Sequence, residues 1–305
     1  MREVKINRLP HDQRDGFCET CLKIFSTIPL DRKTMRETLF GDDHAQCVIS
    51  LIAQTDDRII GVLHAVLHQR VLFITVVGVI EGYRREQVAS RLYENLLAEC
   101  AHLDISEIRV SDYPYGYVLP GISDASGTAF FSSLGFQQDT SPLAMQRELK
   151  EFSYDEPILH RKRSLIGLGY EIVRYQECYL EAAIAFFERC MAPDWKDILI
   201  SAHRSKRLIA NGACCIDPTG IMIGASFYGV VGNDPMRFGP IGVDPERRGL
   251  SIGKILLEEC LSLQYRDGLN RSYFLWCYGD SPAYRMYSGS GFTVMLKMQT
   301  MNKKF

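Results

Sequence analysis

Apolar positions along the chain follow two rhythms, and each rhythm occurs twice. Strand-like runs Cys47–Gln54 and Ile59–Leu67 flank the polar turn Thr55-Asp56-Asp57-Arg58. Runs Arg207–Ile216 and Ile221–Val230 flank Asp217-Pro218-Thr219-Gly220. Both arrangements predict β-hairpins. A longer apolar run follows each hairpin, Val71–Ile80 in one case and Phe238–Val243 in the other. Helical stripes come next, at Val88, Leu92, Leu96 and Cys100 and at Ile252, Ile255, Leu256 and Cys260. Their steps of three and four are those of an α-helix with one buried face.

The correspondence continues downstream. FFSSLGF occupies 130–136 and MYSGSGF occupies 286–292. Arginine pairs before the two helices lie 164 residues apart, and the Gly-Phe pairs 156 apart. The first copy therefore carries about eight extra residues, which the Pro-, Gly- and Tyr-rich loop at 113–124 accommodates. Each copy predicts the same order: helix (Tyr179–Cys190 in the second), hairpin, long strand, arginine turn, helix, strand, short helix, Gly-Phe, strand. That order implies an α/β fold with a mixed, mostly antiparallel sheet and helices on both faces. The expected divisions are a first domain at 1–150, a linker at 151–167 and a second domain at 168–305. The basic run His160-Arg161-Lys162-Arg163 falls in the linker and reads as a solvated segment.

Composition narrows the function. The chain of 305 residues is 46% hydrophobic and 24% charged, and its 35 basic residues nearly balance 37 acidic ones. No whole-protein field draws nucleic acid or an anionic membrane, so neither is an expected partner. The opening MREVKINRLPHDQR lacks the apolar stretch of a signal peptide. The longest apolar run is far short of the roughly 20 residues that span a bilayer. These features predict a cytoplasmic protein, monomeric or homodimeric. Ten scattered cysteines read mainly as buried free thiols. Cys18-x-x-Cys21 has no second pair at zinc spacing, so no metal is expected.

The turns before the two helices carry the candidate chemistry. A helix start bears roughly half a positive charge and unpaired N–H groups. Arg247 and Arg248 add more positive charge, which suits an anion. Gly249, Ser251 and Gly253 keep side chains small, so a pyrophosphate can approach the backbone. The same features also suit a charged turn capping an ordinary helix. The spacing matches neither the nucleotide P-loop, which needs Gly-Lys-Ser/Thr, nor the dinucleotide Gly-x-Gly-x-x-Gly.

Val243-x-Pro245-x-x-Arg248-Gly249-x-x-x-Gly253 resembles the acyl-CoA signature of the GNAT N-acetyltransferases, Gln/Arg-x-x-Gly-x-Gly/Ala. Ser251 stands in place of the middle glycine. The first copy reads Arg84-x-x-Gln87-x-Ala89, with Arg85 and Gln87 in place of glycines. Asp280-x-x-Ala283-x-x-x-Tyr287-x-x-x-Gly291-Phe292 resembles the family's Asn-x-x-Ala-x-x-x-Tyr-x-x-x-Gly-Phe. The resemblance covers both copies and implies two tandem GNAT-fold domains.

For function, the resemblance implies an acetyltransferase that moves acetyl from acetyl-CoA to an amine. The cofactor-binding residues it implies are Ile241, Val243, Arg248, Gly249, Leu250, Ser251, Ile252, Gly253, Lys254, Asp280 and Ala283. Tyr287 is the implied general acid, and the Val243 N–H the implied oxyanion donor. The first copy has Phe131 at the tyrosine position and reads as a degenerate domain. Asp194, Asp197 and Asp217 are candidate bases without motif support. Trp195 and Trp276 suit a pocket wall or the core, and Cys277 a structural thiol. The rival reading is a non-catalytic acyl-CoA sensor or scaffold.

Overall fold

The computed structural model describes residues 3–26, 30–41, 44–56, 58–115, 118–191, 193–232 and 234–305. Met1, Arg2, Asp57, Gly116 and Tyr117, which fall in stretches singled out above, lie outside them. The chain forms two units, one of residues 1–142 with 297–305 and one of residues 143–296.

The first unit contains β1 (Lys5–Arg8), α1 (Arg14–Ile24), α2 (Arg32–Phe40), β2 (Cys47–Thr55), β3 (Arg58–His68) and β4 (Val71–Val79). Then come α3 (Val88–Glu99), β5 (Glu107–Val110), α4 (Ala125–Ser133) and β6 (Gln137–Gln138). The second unit opens on β7 (Pro142–Glu148), α5 (Glu156–Gly167), β8 (Glu171–Arg174), α6 (Leu180–Cys190), α7 (Pro193–Arg204), β9 (Gly212–Ile216) and β10 (Met222–Tyr228). It continues with β11 (Phe238–Val243), α8 (Ile252–Arg266), β12 (Arg271–Tyr278), α9 (Pro282–Gly289) and β13 (Thr293–Lys297). The final strand, β14 (Met301–Lys304), belongs to the first unit.

The first unit's sheet runs β1-β2-β3-β4-β5-β14-β6. The β4–β5 pair is parallel, and the other pairs are antiparallel. Alternation along β2 explains how both faces are covered. Ile49, Leu51 and Ala53 join the core under α3, while Ile52 joins the core under α1 and α2. The second unit has sheets β11-β10-β9-β8 and β12-β7-β13. Cys215 and Ile223 pack with α8, whereas Cys214 and Ala225 pack with α6 and α7. The mixed, mostly antiparallel sheet with helices on both faces is thus present in each unit.

Three expectations need correction. Residues 151–167 are not a linker between domains, because they lie within the second unit and 156–167 form α5. Its Ile158 and Leu165 sit in the second unit's core, and Tyr154 and Lys162 both bond Glu259 of α8 at 3.0 and 2.6 Å. Residues 297–305 are not part of the second domain. Strand β14 pairs β5 and β6, while β7, which follows β6 in sequence, pairs β12 and β13. The halves have exchanged their last strands. The hairpin run from Arg207 also starts later, at Gly212, because the Asn211 side chain ties the preceding turn by accepting from Ile209 N at 2.9 Å.

Candidate acyl-CoA site

Each unit bends the strand that leads into its arginine turn at one place. In β4 the register with β3 shifts at Thr75, and in β11 the register with β10 shifts around Gly239 and Pro240. A bulge inserts an extra residue and flips the face of everything after it. Leu72 and Ile74 before the bulge and Val77 and Val79 after it therefore all reach the α3 core. Phe238 and then Ile241 and Val243 do the same beneath α8.

Past the bulge the strands splay. β11 and β12 touch through the Arg237–Tyr273 bridge and then belong to separate sheets. Gly242 pairs Ala225, and Asp244 N donates to Ile223 O at 2.8 Å, so the even-numbered residues bond β10. Antiparallel alternation then turns the N–H and C=O groups of Ile241 and Val243 to the open edge. An extended chain could pair there as an added strand.

The loop after β11 is a short 3-10 turn, Pro245–Arg247, followed by Arg248 in extended geometry. Gly249 has φ +87° and Ser251 has φ +64°. Positive φ is free for glycine and costs about 1–2 kcal/mol for a residue with a Cβ. Helix α8 begins directly after, so the N–H groups of Ile252, Gly253 and Lys254 have no acceptor within the helix. The helix start is pressed onto β10 at a glycine. A methyl group at Gly224 would lie 2.9 Å from Leu256 and 3.2 Å from Ile252.

The two arginines do different work. Arg247 turns back to the buried Asp217 carboxylate at 3.2 Å. Asp217 also accepts from Thr219 N, Thr219 Oγ1 and Ile221 N at 2.9, 2.5 and 3.1 Å. Arg248 is exposed and has no hydrogen bond or ion pair among the described residues. A methyl group on Gly249 would meet nothing within 4 Å, so that side of the loop is open to a bulky anion. The residues present therefore fit a diphosphate. The Lys254 ammonium is committed to Asp155 at 2.5 Å, which leaves the residue's backbone N–H to the cradle.

Tyr287, on α9, is buried in an aromatic box. Phe274, Phe292 and Phe238 have ring centroids 4.3, 5.7 and 6.1 Å from its own. Its hydroxyl makes no hydrogen bond among the described residues. Burial, followed by nearby Cys277, pushes the phenol well above its usual range, so it holds its proton at neutral pH. Met286 beside it touches the cradle, because a methyl group at Gly253 would lie 3.3 Å from its sulfur. Ala283 is exposed on the first turn of α9.

Asp280 does not cap α9. Ser281, which the motif comparison missed, accepts from Tyr284 N at 3.0 Å and donates to Tyr278 O at 2.7 Å. A Ser-Pro pair at a helix start was the available signal. Burial also raises the Cys277 thiol, which keeps it protonated and a poor nucleophile. Cys18 and Cys21 are likewise buried, with the Cys18 thiol pushed up to about 11. Of the candidate bases, Asp217 is consumed by its turn and Arg247. Asp194 is raised by burial, against a bond from its own backbone and with the charge of Asp197 adding to it. Trp195 packs on Phe187 at 5.8 Å and Trp276 on Tyr278 at 6.4 Å.

The first unit repeats the backbone with different side chains. Arg84 is extended, Arg85 has φ +67° and Gln87 has φ +60°, directly before α3. The cradle's shape thus persists with side chains where glycine is easiest. Arg84 is not free. Its Nε donates to Val79 O at 3.2 Å, and its charge helps hold the Asp124 carboxyl below the usual range. Burial alone would raise that carboxyl; bonds from Ser126 and Gly127 N outweigh it. Phe131 packs on Phe130 and Phe136 at 5.0 and 5.1 Å and lines a cleft between β4 and β5 with Ile74, Val77 and Leu119.

Known proteins share this fold. Residues 12–113 match the model of the Acetyltransferase (GNAT) family. No curated protein matches the sequence. Among solved structures, a tandem GNAT protein from the clavulanic acid biosynthesis pathway has a TM-score of 0.73 at 14% identity, covering 99% of this chain and 98% of that one. A GCN5-related N-acetyltransferase from Sphaerobacter thermophilus has a TM-score of 0.69 at 13% identity, covering 99% and 95%. A glucosamine N-acetyltransferase region of a fungal multi-domain β-N-acetylglucosaminidase has a TM-score of 0.79 at 17% identity. This chain covers 38% of the length of that fungal protein with 99% of its own. The chain has the tandem GNAT fold, and the match to the GNAT acetyltransferase family model falls in its first half. The fold is one that supports acyl transfer.

Proposed function

We propose that the protein is an N-acetyltransferase that binds acetyl-CoA in its second half and transfers the acetyl group directly to an amine. The observation that carries this reading is the buried, protonated and hydrogen-bond-free phenol of Tyr287, on the helix that borders a cradle with a free arginine. Arg248 and the backbone N–H groups from Gly249 to Lys254 would hold the diphosphate. The open-edge groups of Ile241 and Val243 would pair with the pantetheine arm, and Asp280 and Ala283 would border it. The free amine attacks the thioester carbonyl, and the Val243 N–H steadies the oxyanion that forms. The oxyanion then collapses and the C–S bond breaks. Tyr287 gives its proton to the departing thiolate sulfur, and the extra proton on the amine nitrogen leaves to water, from which the phenol is reprotonated. Ten free cysteines suit a reducing compartment, and we place the protein in the cytoplasm.

Tyr287→Phe tests this reading. Removing a general acid lowers turnover about 10²- to 10⁴-fold, while acetyl-CoA affinity stays within about twofold. Thiol release from acetyl-CoA in the presence of a panel of amines measures the first, and calorimetry the second. A wild-type protein that binds acetyl-CoA and releases no thiol with any amine is the sensor or scaffold instead.

A further inference from the structure

Each exchanged strand carries a cation to the end of the helix that precedes Gly-Phe. In the first unit, Lys303 of β14 donates to Leu134 O at 2.9 Å and lies beside Gly135. In the second, Arg147 of β7 lies beside Gly291, where a methyl group would come within 3.5 Å of its Nε. Arg147 Nη1 is 3.5 Å from Glu258 Oε1, and the side chains are 17% and 2% exposed. The guanidinium also covers the Phe152 ring at 5.1 Å.

This pair sits under the turn that fixes Tyr287. Ser290 N and Phe292 N both donate to Tyr287 O at 3.0 Å, and Gly291 adopts φ +78°. Ser290 Oγ, Glu258 Oε2 and Arg147 Nη1 are all buried there, and burial raises the Glu258 carboxyl against the Arg147 charge and the Ser290 hydroxyl, which both pull it down. A buried ion pair is a poor source of net stability, because desolvation offsets its attraction. It is well suited to fixing geometry, since either partner alone would be left charged in a dry site. In the first unit the position corresponding to Glu258 is Glu94, a carboxylate that is exposed.

We propose that Arg147 and Glu258 are positioning residues that lock the C-terminal turn of α9 and thereby hold the Tyr287 phenol in place for catalysis. The proposal rests on the reading of Tyr287 as proton donor. The exchange of last strands gives the first half's final strand a role in the second half's chemistry.

The experiment follows amide hydrogen exchange at Ser290, Gly291 and Phe292 in the full chain, alongside thiol release from acetyl-CoA with the best amine of a mixed panel. In Arg147→Met, exchange at these amides accelerates by at least about tenfold while the α8 core does not change. Turnover falls at least about tenfold with the KM for acetyl-CoA within about twofold, as expected when a reacting group is misplaced. Arg147→Lys and Glu258→Gln, which keep most of the packing, show smaller effects in the same direction. Arg147→Met adds no further loss in a Tyr287→Phe background. Unchanged exchange in all three single variants at 147 and 258 overturns the lock. So does a loss on Arg147→Met that is equally large with and without the Tyr287 hydroxyl. If exchange accelerates but Tyr287→Phe retains full turnover, the lock stands and the proton-donor reading falls.

Discussion

The two arginine loops have nearly the same backbone and opposite chemistry. Arg85 and Gln87 hold the positive φ angles that Gly249 and Ser251 hold in the second loop. Yet Arg84 is bonded to the strand edge at Val79 O, and Arg248 has no hydrogen bond or ion pair among the described residues. The comparison teaches that the cradle's shape is set by packing. A methyl group at Gly61 would lie 3.0 Å from Val88, just as one at Gly224 would crowd Ile252 and Leu256. Close helix–strand approach fixes where the helix begins, whatever its loop residues are. What separates the halves is a free guanidinium and a phenol at the two ends of the second site.

Substitution of the two arginines should separate the halves most sharply. Arg248→Ala removes charge-assisted bonds of about 1.5–3 kcal/mol, so acetyl-CoA binding should weaken roughly 10- to 100-fold. Arg84→Ala should change it by less than about twofold, and calorimetry on both variants checks the contrast. Equal losses would break the distinction drawn here. A smaller effect concerns strain. Ser251→Gly and Gln87→Gly each relieve a left-handed residue and should raise unfolding free energy by up to about 1 kcal/mol, read from urea midpoints.

The smallest effect is one of pH. The Thr219 hydroxyl bond holds the Asp217 carboxyl below its usual value against burial, helped by the Ile221 and Thr219 N–H groups and Arg247. Its folded pKa is depressed, so its contribution is complete above about pH 4, the unfolded value, and is lost as pH falls through the folded one. Asp217→Asn should lose that part of the acid sensitivity in urea midpoints measured from pH 6 downward. The corresponding turn of the first half has no such pair, since Tyr83 stands at the position of Arg247.

Local pattern made the duplication and the cradle legible, because each depends on residues close together in sequence, and Tyr287 was singled out by the resemblance. The bulges at Thr75 and Gly239, past which the strands splay, leave no mark in the alternation except a shift of face. Exchange of β7 and β14 could not be read at all. A strand's pattern states which face is buried and is silent on which sheet edge receives it. The helix at 156–167 was hidden by its basic surface, although Asp155-Glu156-Pro157 is a helix-start signature and Ile158 and Leu165 lie on one face. Of the two adjacent arginines, sequence could not say that a buried turn aspartate would claim Arg247 and leave Arg248 free.

The most direct measurement is a crystal structure of the full chain soaked with acetyl-CoA. The account predicts the diphosphate on the N–H groups between Gly249 and Lys254 with the Arg248 guanidinium against it, and the thioester near Tyr287. Density confined to the cleft of the first unit, or an Arg248 folded back into an internal pair with its loop empty, would contradict it.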